Sequence, residues 1–78
     1  MRRLIMIEWI LVSGSTRIVA EAYDSATETI YVRFPNGVEW YYSACPPNVW
    51  AEFTAPGQSR GTYIHNVLNA KPNDRYAG

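Results

Sequence analysis

Residues 29–42 have the sequence TIYVRFPNGVEWYY and predict a β-hairpin that turns at Pro35-Asn36-Gly37. Proline fixes φ and glycine accepts a positive φ, so this tripeptide favours a three-residue hairpin loop. The loop pairs Arg33 with Glu39 and Tyr31 with Tyr41, an opposite-charge pair and an aromatic pair that both favour neighbouring strands. The alternate residues then form one apolar face, which we expect to be the core face: Ile30, Val32, Phe34, Val38, Trp40 and Tyr42.

A preceding strand is predicted from Ile18 to Tyr23. A five-residue loop over residues 24–28 would place Ala22 opposite Ile30 and Ala20 opposite Val32, although a loop of this length also admits a bulge. The outer face of the three strands would then carry these residues: Val19, Glu21, Tyr23, Tyr31, Arg33, Glu39 and Tyr41.

Two short helices are predicted after the hairpin. Pro46-Pro47 fits the first turn of a helix, and Pro56-Gly57 would end it. The second helix would begin after an N-cap at Ser59 and run to about Asn69. The residues expected to face inward are Val49, Trp50 and Phe53 on the first helix, and Ile64, Val67 and Leu68 on the second, with Tyr63 at the margin. The predicted fold is therefore α+β, a three-stranded antiparallel meander packed against the two helices.

The N-terminal run of residues 4–12 is apolar and is expected to form either an additional strand or an anchoring segment. It is too short to span a bilayer, Glu8 interrupts it, and no cleavage site of small residues follows it. Both Met1 and Met6 are candidate starts. The run is more apolar than one strand needs, which would suit a protein partner or self-association. Its apolar residues are Leu4, Ile5, Ile7, Trp9, Ile10 and Leu11.

Composition narrows the functional classes. The chain has 78 residues, seven basic and seven acidic, which favours one domain without a broad surface for nucleic acid. Cys45 is the only cysteine, so no disulfide can form within the chain, and a reducing cytoplasm is the expected compartment. Cys45 and His65 lack a third orienting group for nucleophilic catalysis and lack metal-ligand spacing. We therefore predict no enzyme, no metal and no cofactor, with Cys45 in the core and His65 in a structural role.

Several short matches, in order along residues 15–65, resemble the KTSC family, which is named for its occurrence at the C-terminus of some lysyl-tRNA synthetases. The resemblance divides the chain into an N-terminal segment, 1–14, a KTSC-like domain, 15–70, and a polar tail, 71–78, which we expect to fray. Trp40, Ile64, His65 and Glu21 depart from the family pattern, and Glu21 stands where the family usually has an apolar residue. The matching residues are Ser15, Thr16, Ile18, Tyr23, Asp24, Ile30, Val32, Phe34, Gly37, Tyr41, Tyr42, Pro46 or Pro47, Val49, Trp50, Ser59, Gly61 and Tyr63.

The candidate binding residues fall into two groups. The start of the second helix, Ser59-Arg60-Gly61 with Tyr63 and His65, could hold an anion, while plain N-capping explains Ser59 and Gly61 equally well. Arg17, Lys71 and Arg75 could add positive charge there. On the outer sheet face, Tyr31, Arg33 and Tyr41 form an aromatic surface for a partner, which cross-strand pairing also explains.

Two functions are carried forward. The first is a small non-catalytic binding module for RNA, since the family resemblance implies that class of ligand. The alternative is a protein-interaction module or accessory factor of bacterial or bacteriophage origin, self-associating through Trp9 and the N-terminal run.

Overall fold

The structure is a computed structural model, and it describes residues 6–77. Its strands form one antiparallel sheet in the order β1-β2-β3-β4-β5, so neighbours in sequence are neighbours in space. The α+β class is confirmed, and the sheet is larger than predicted. The elements are β1 Ile10–Leu11, β2 Ala20–Asp24, β3 Thr29–Arg33, β4 Glu39–Tyr42, α1 Pro47–Phe53, α2 Arg60–Asn66, a 3₁₀ turn Leu68–Ala70, and β5 Asn73–Arg75.

The predicted hairpin between β3 and β4 is confirmed in its register. Val32 pairs with Trp40 and Arg33 pairs with Glu39. The Phe34 N–H donates to the Val38 carbonyl at 2.9 Å, which closes the three-residue loop. Gly37 has a φ of +88°, a backbone conformation that residues other than glycine rarely adopt.

The predicted register between β2 and β3 is wrong by one residue. Tyr23 pairs with Ile30, Glu21 with Val32, and Asp24 with Thr29, so the loop has four residues, 25–28. Asp24 stays in the strand, its carboxylate accepts the Ala26 N–H at 3.0 Å, and Glu28 takes a φ of +52°. Because a shift of one residue exchanges the two faces, Glu21 and Tyr23 face the helices rather than the outer side.

Both helices begin where the sequence predicts. Pro46 is the N-cap residue of α1, and Ser59 caps α2 by accepting the Thr62 N–H at 3.2 Å. The second helix ends at Asn66 rather than Asn69 and continues as the 3₁₀ turn. Tyr63 is buried and not marginal, with 5% of its surface exposed.

The core lies between the sheet and the helices. It confirms the inward placement of Ile30, Val32 and Tyr42, while Phe34 and Trp40 pack against it partly buried. Cys45 is fully buried within it. Its other buried members are Ile18, Val49, Phe53, Tyr63, Ile64 and Leu68.

The expectation that the chain frays from residue 71 is wrong for β5. Its backbone pairs with β4, Trp40 opposite Arg75, and the Trp40 indole N–H donates to Asn73 Oδ1 at 2.9 Å. The Ser43 N–H also donates to the Pro72 carbonyl at 2.8 Å. The side chains of β5 are all polar and exposed, so the sequence has no apolar pattern there that would predict a strand.

The N-terminal run contributes β1, which pairs with β2 through Ile10 opposite Glu21 and Leu11 opposite Ala20. This is the strand alternative of the two that the sequence leaves open. Leu4 and Ile5 lie outside the described residues.

Candidate functional site

A cleft of about 340 Å³ lies between the turn that follows β1 and the start of α2. One wall is residues 12–17 and the other is residues 58–61. The sequence singles out Ser59-Arg60-Gly61 and Arg17 separately, and the fold brings them together.

The first wall is a polar turn held by Ser15. Its Oγ accepts the N–H groups of Arg17 at 3.1 Å and of Ile18 at 3.3 Å. Ile18 is fully buried, so the turn is fixed to the core at its C-terminal end. The base of the Arg17 side chain lies against the other wall, where a Cβ added at Gly61 would be 3.4 Å from Arg17 Cβ. The two walls therefore come within van der Waals distance of each other at Gly61 and Arg17.

The second wall contains Arg60, whose charge is already paired. Its Nε donates to Glu21 Oε1 at 2.7 Å and its Nη2 donates to Oε2 at 2.9 Å, a two-bond contact in which the Glu21 side chain is only 5% exposed. The hydrogen bond to Glu21 raises the pKa of Arg60. The guanidinium also lies 5.4 Å from the centre of the Phe53 ring. Glu21 therefore already compensates the charge of Arg60, one of the residues predicted to bind an anion.

Tyr63 and His65 do not line the cleft. His65 lies exposed in the last turn of α2. The Tyr63 hydroxyl instead donates to Glu52 Oε1 at 2.8 Å, which ties α2 to α1. Burial and this hydrogen bond raise the pKa of Tyr63 to about 12.

This shift predicts a loss of stability in alkaline solution. A phenol whose pKa is higher in the folded than in the unfolded state stabilises the fold fully below the unfolded pKa of 10.0, and this contribution disappears as the pH rises through about 12. We expect the free energy of unfolding to fall by about 2 kcal/mol more in the wild type than in Tyr63→Phe over that interval. Urea denaturation of both proteins measures the difference; equal slopes against pH would contradict it.

The outer sheet face is largely covered by the chain itself. Tyr31 is only 7% exposed, with the Trp9 ring centre at 6.5 Å and the Tyr76 ring centre at 5.0 Å. Arg33 lies 4.5 Å from the Trp9 ring centre and pairs with Glu39 at 2.8 Å. The predicted exposure of Tyr31 is therefore wrong, because residues from both chain ends pack over it. Tyr41 on the same face is half-buried.

The environment of Cys45 makes its thiol unreactive. Its thiol lies 3.4 Å from the Ser43 carbonyl oxygen and 3.5 Å from that of Tyr42, and burial raises the pKa of the thiol. It is therefore protonated near neutral pH, whereas the thiolate is the reactive form. Over residues 6–77, no group of three or more His, Cys, Asp or Glu side chains could hold a metal ion. In the same range, every helix is too short or too polar to cross a membrane.

Comparison with known proteins identifies the domain that builds this cleft. A family model described as KTSC domain matches residues 14–71. The chain belongs to the KTSC domain family. The match takes in most of both cleft walls, whereas β1 and β5 lie outside it.

The same fold is found in a crystal structure of a KTSC domain protein from Yersinia pestis. It superposes with a TM-score of 0.81 at 19% identity, over 92% of this chain and 100% of that chain. No match to this KTSC domain was found among curated proteins. At this identity the structural likeness shows the fold alone.

Proposed function

We propose that this KTSC domain is a small non-catalytic binding module that holds RNA phosphate in the cleft between residues 12–17 and 58–61. One observation carries the proposal: two segments far apart in sequence meet there, with the Arg17 side chain packed across Gly61. We also propose that the protein is located in the cytoplasm. A single cysteine that is buried and not in a disulfide supports this location.

The chemistry of the cleft suits a phosphate group. Arg17 is exposed and has no acidic partner among residues 6–77, so its guanidinium is available for the paired N–H donation that phosphate oxygens accept. The hydroxyl groups of Ser15, Thr16 and Ser59 line the same space and can donate. With Arg60 neutralised by Glu21, Arg17 carries the one uncompensated arginine charge among the residues that line the cleft, and we expect contact with few phosphates and a modest affinity.

The test compares Arg17→Gln with Arg75→Gln in binding to tRNA and to single-stranded RNA. Arg75 is an exposed arginine on β5, at the opposite edge of the sheet, and it controls for net charge. Fluorescence anisotropy from about 50 to about 200 mM salt should show that Arg17→Gln weakens binding and lowers the salt slope by about 1. Arg75→Gln should leave both close to the wild type.

Two results would defeat the RNA proposal: no binding to either RNA at the lowest salt, or the same loss in both variants. Arg60→Ala is unsuitable as a first test, because it removes the partner of buried Glu21 and changes stability together with binding.

A further inference from the structure

The two edges of the sheet differ sharply in chemistry. The outer strand β5 carries Asn73, Asp74 and Arg75, all exposed and polar. At the other edge, Leu11 is 82% exposed and Ile10 is 54% exposed. Charged side chains on an edge discourage further strands from pairing, whereas an apolar edge invites them. The β5 edge is thus protected and the β1 edge is not.

The backbone of β1 also offers hydrogen-bonding groups at that edge. The Val12 N–H donates to the Val19 carbonyl at 2.9 Å, and Ile10 pairs with Glu21, so residues 10 and 12 face β2. Alternate residues of an antiparallel strand direct their N–H and C=O groups to opposite sides. Trp9 and Leu11 therefore direct theirs away from β2, and within residues 6–77 no strand lies beyond them.

We propose that a second copy of this chain pairs with β1, antiparallel and about a two-fold axis at Ile10. In this register Ile10 faces the partner's Ile10 on one side of the sheet. On the other side, Leu11 faces the partner's Trp9, and the outward backbone groups of these two residues bond to each other. The five-stranded sheets of the two copies then join into one continuous sheet.

A second copy fits this edge for two reasons. The strand is self-complementary in the proposed register, with apolar side chains meeting on both faces, as an isologous two-fold contact requires. Glu8 is the only charged residue in the range 6–16, and the register sets it opposite the partner's Val12, so the two carboxylates lie at opposite ends. The joined sheet has a polar β5 at each outer edge, which closes the assembly at two copies.

The first experiment is sedimentation of the full chain from about 10 μM to about 1 mM, where a dimer should form as concentration rises. Leu11→Lys should weaken the dimer by about tenfold or more, because the substitution acts twice across the axis. Leu11→Pro should do the same by removing an outward N–H that β2 does not use. Ala51→Lys adds the same charge at an exposed position of α1 and should leave the dimer unchanged. A wild type that stays monomeric, or a dimer that resists both Leu11 variants, overturns the proposal.

The second experiment tests the register by cross-linking. Ile10→Cys should form a disulfide between copies under mild oxidation, because directly opposed residues that do not exchange hydrogen bonds have Cα atoms about 4.5 Å apart. Leu11→Cys should not, since it faces the partner's Trp9. Cys45 is buried and does not compete. Cross-linking through Leu11→Cys but not through Ile10→Cys would overturn the register.

Discussion

Replacement of Arg60 by methionine is expected to lower the free energy of unfolding by about 3 kcal/mol. Methionine keeps most of the apolar stem beside Phe53 and removes the charge. The Glu21 carboxylate, 5% exposed as a side chain, then loses both of its hydrogen bonds to the guanidinium. A buried charge without its partner costs far more than the intact pair contributes, and this cost dominates the effect. Urea denaturation monitored by tryptophan fluorescence gives the value.

The chain supplies a matched control for this prediction. Arg33 and Glu39 form a second ion pair, with side chains 31% and 27% exposed. Arg33→Met should therefore cost about 1 kcal/mol or less. The double variant Glu21→Met with Arg60→Met should return to within about 1 kcal/mol of the wild type, because no unpaired charge is left. If the double variant is as unstable as the single one, packing and not the carboxylate explains the loss.

The same ion pair shows where sequence reasoning reaches its limit. The β3–β4 hairpin is predictable because its loop chemistry and two opposed pairs, Arg33 with Glu39 and Tyr31 with Tyr41, all require one register. The register between β2 and β3 is less constrained, because the loop before β3 can have either four or five residues. The four-residue loop places the acidic Glu21 on the face that the helices cover, which looks unfavourable until its partner is known. That partner, Arg60, is 39 residues away. One signal in the sequence comes from the resemblance to the KTSC family, which implies an apolar residue at the position of Glu21.

The sequence does not predict strand β5, the covering of Tyr31 or the cleft, and the three omissions have a common cause. Strand β5 is held by backbone pairing and by the indole of Trp40. Because its own side chains are all exposed, its sequence has no alternation of apolar and polar residues that would predict a strand. Tyr31 is covered by Trp9 from the N-terminal run and by Tyr76 from the segment after β5, and both lie outside the predicted meander. The cleft follows the same logic, because each wall is recognisable as a turn or a helix cap, and only the packing of Arg17 on Gly61 joins them.

Replacement of Phe53 by alanine is expected to have the largest effect on stability, about 4 kcal/mol. Phe53 is fully buried at the point where the helices meet the sheet. Its ring centre lies 6.1 Å from that of Trp50 and 5.7 Å from that of Tyr63, and the Arg60 guanidinium packs on it. Alanine would leave a cavity among groups that are each fixed by other contacts, so the site cannot collapse to fill it.

A loss of this size is comparable to the whole stability expected of a 78-residue domain, so Phe53→Ala should be substantially unfolded at room temperature. Phe53→Leu keeps most of the volume and should remain folded, with a loss of about 1.5 kcal/mol in urea denaturation. Met6→Ala removes an apolar side chain that is 87% exposed and should change stability by about 0.5 kcal/mol or less. If Phe53→Ala retains the near-ultraviolet circular dichroism of the wild type and unfolds at the same urea concentration, the Phe53 ring does not hold the helices on the sheet. The Arg60 prediction would still stand in that case, because it depends on the Glu21 carboxylate alone.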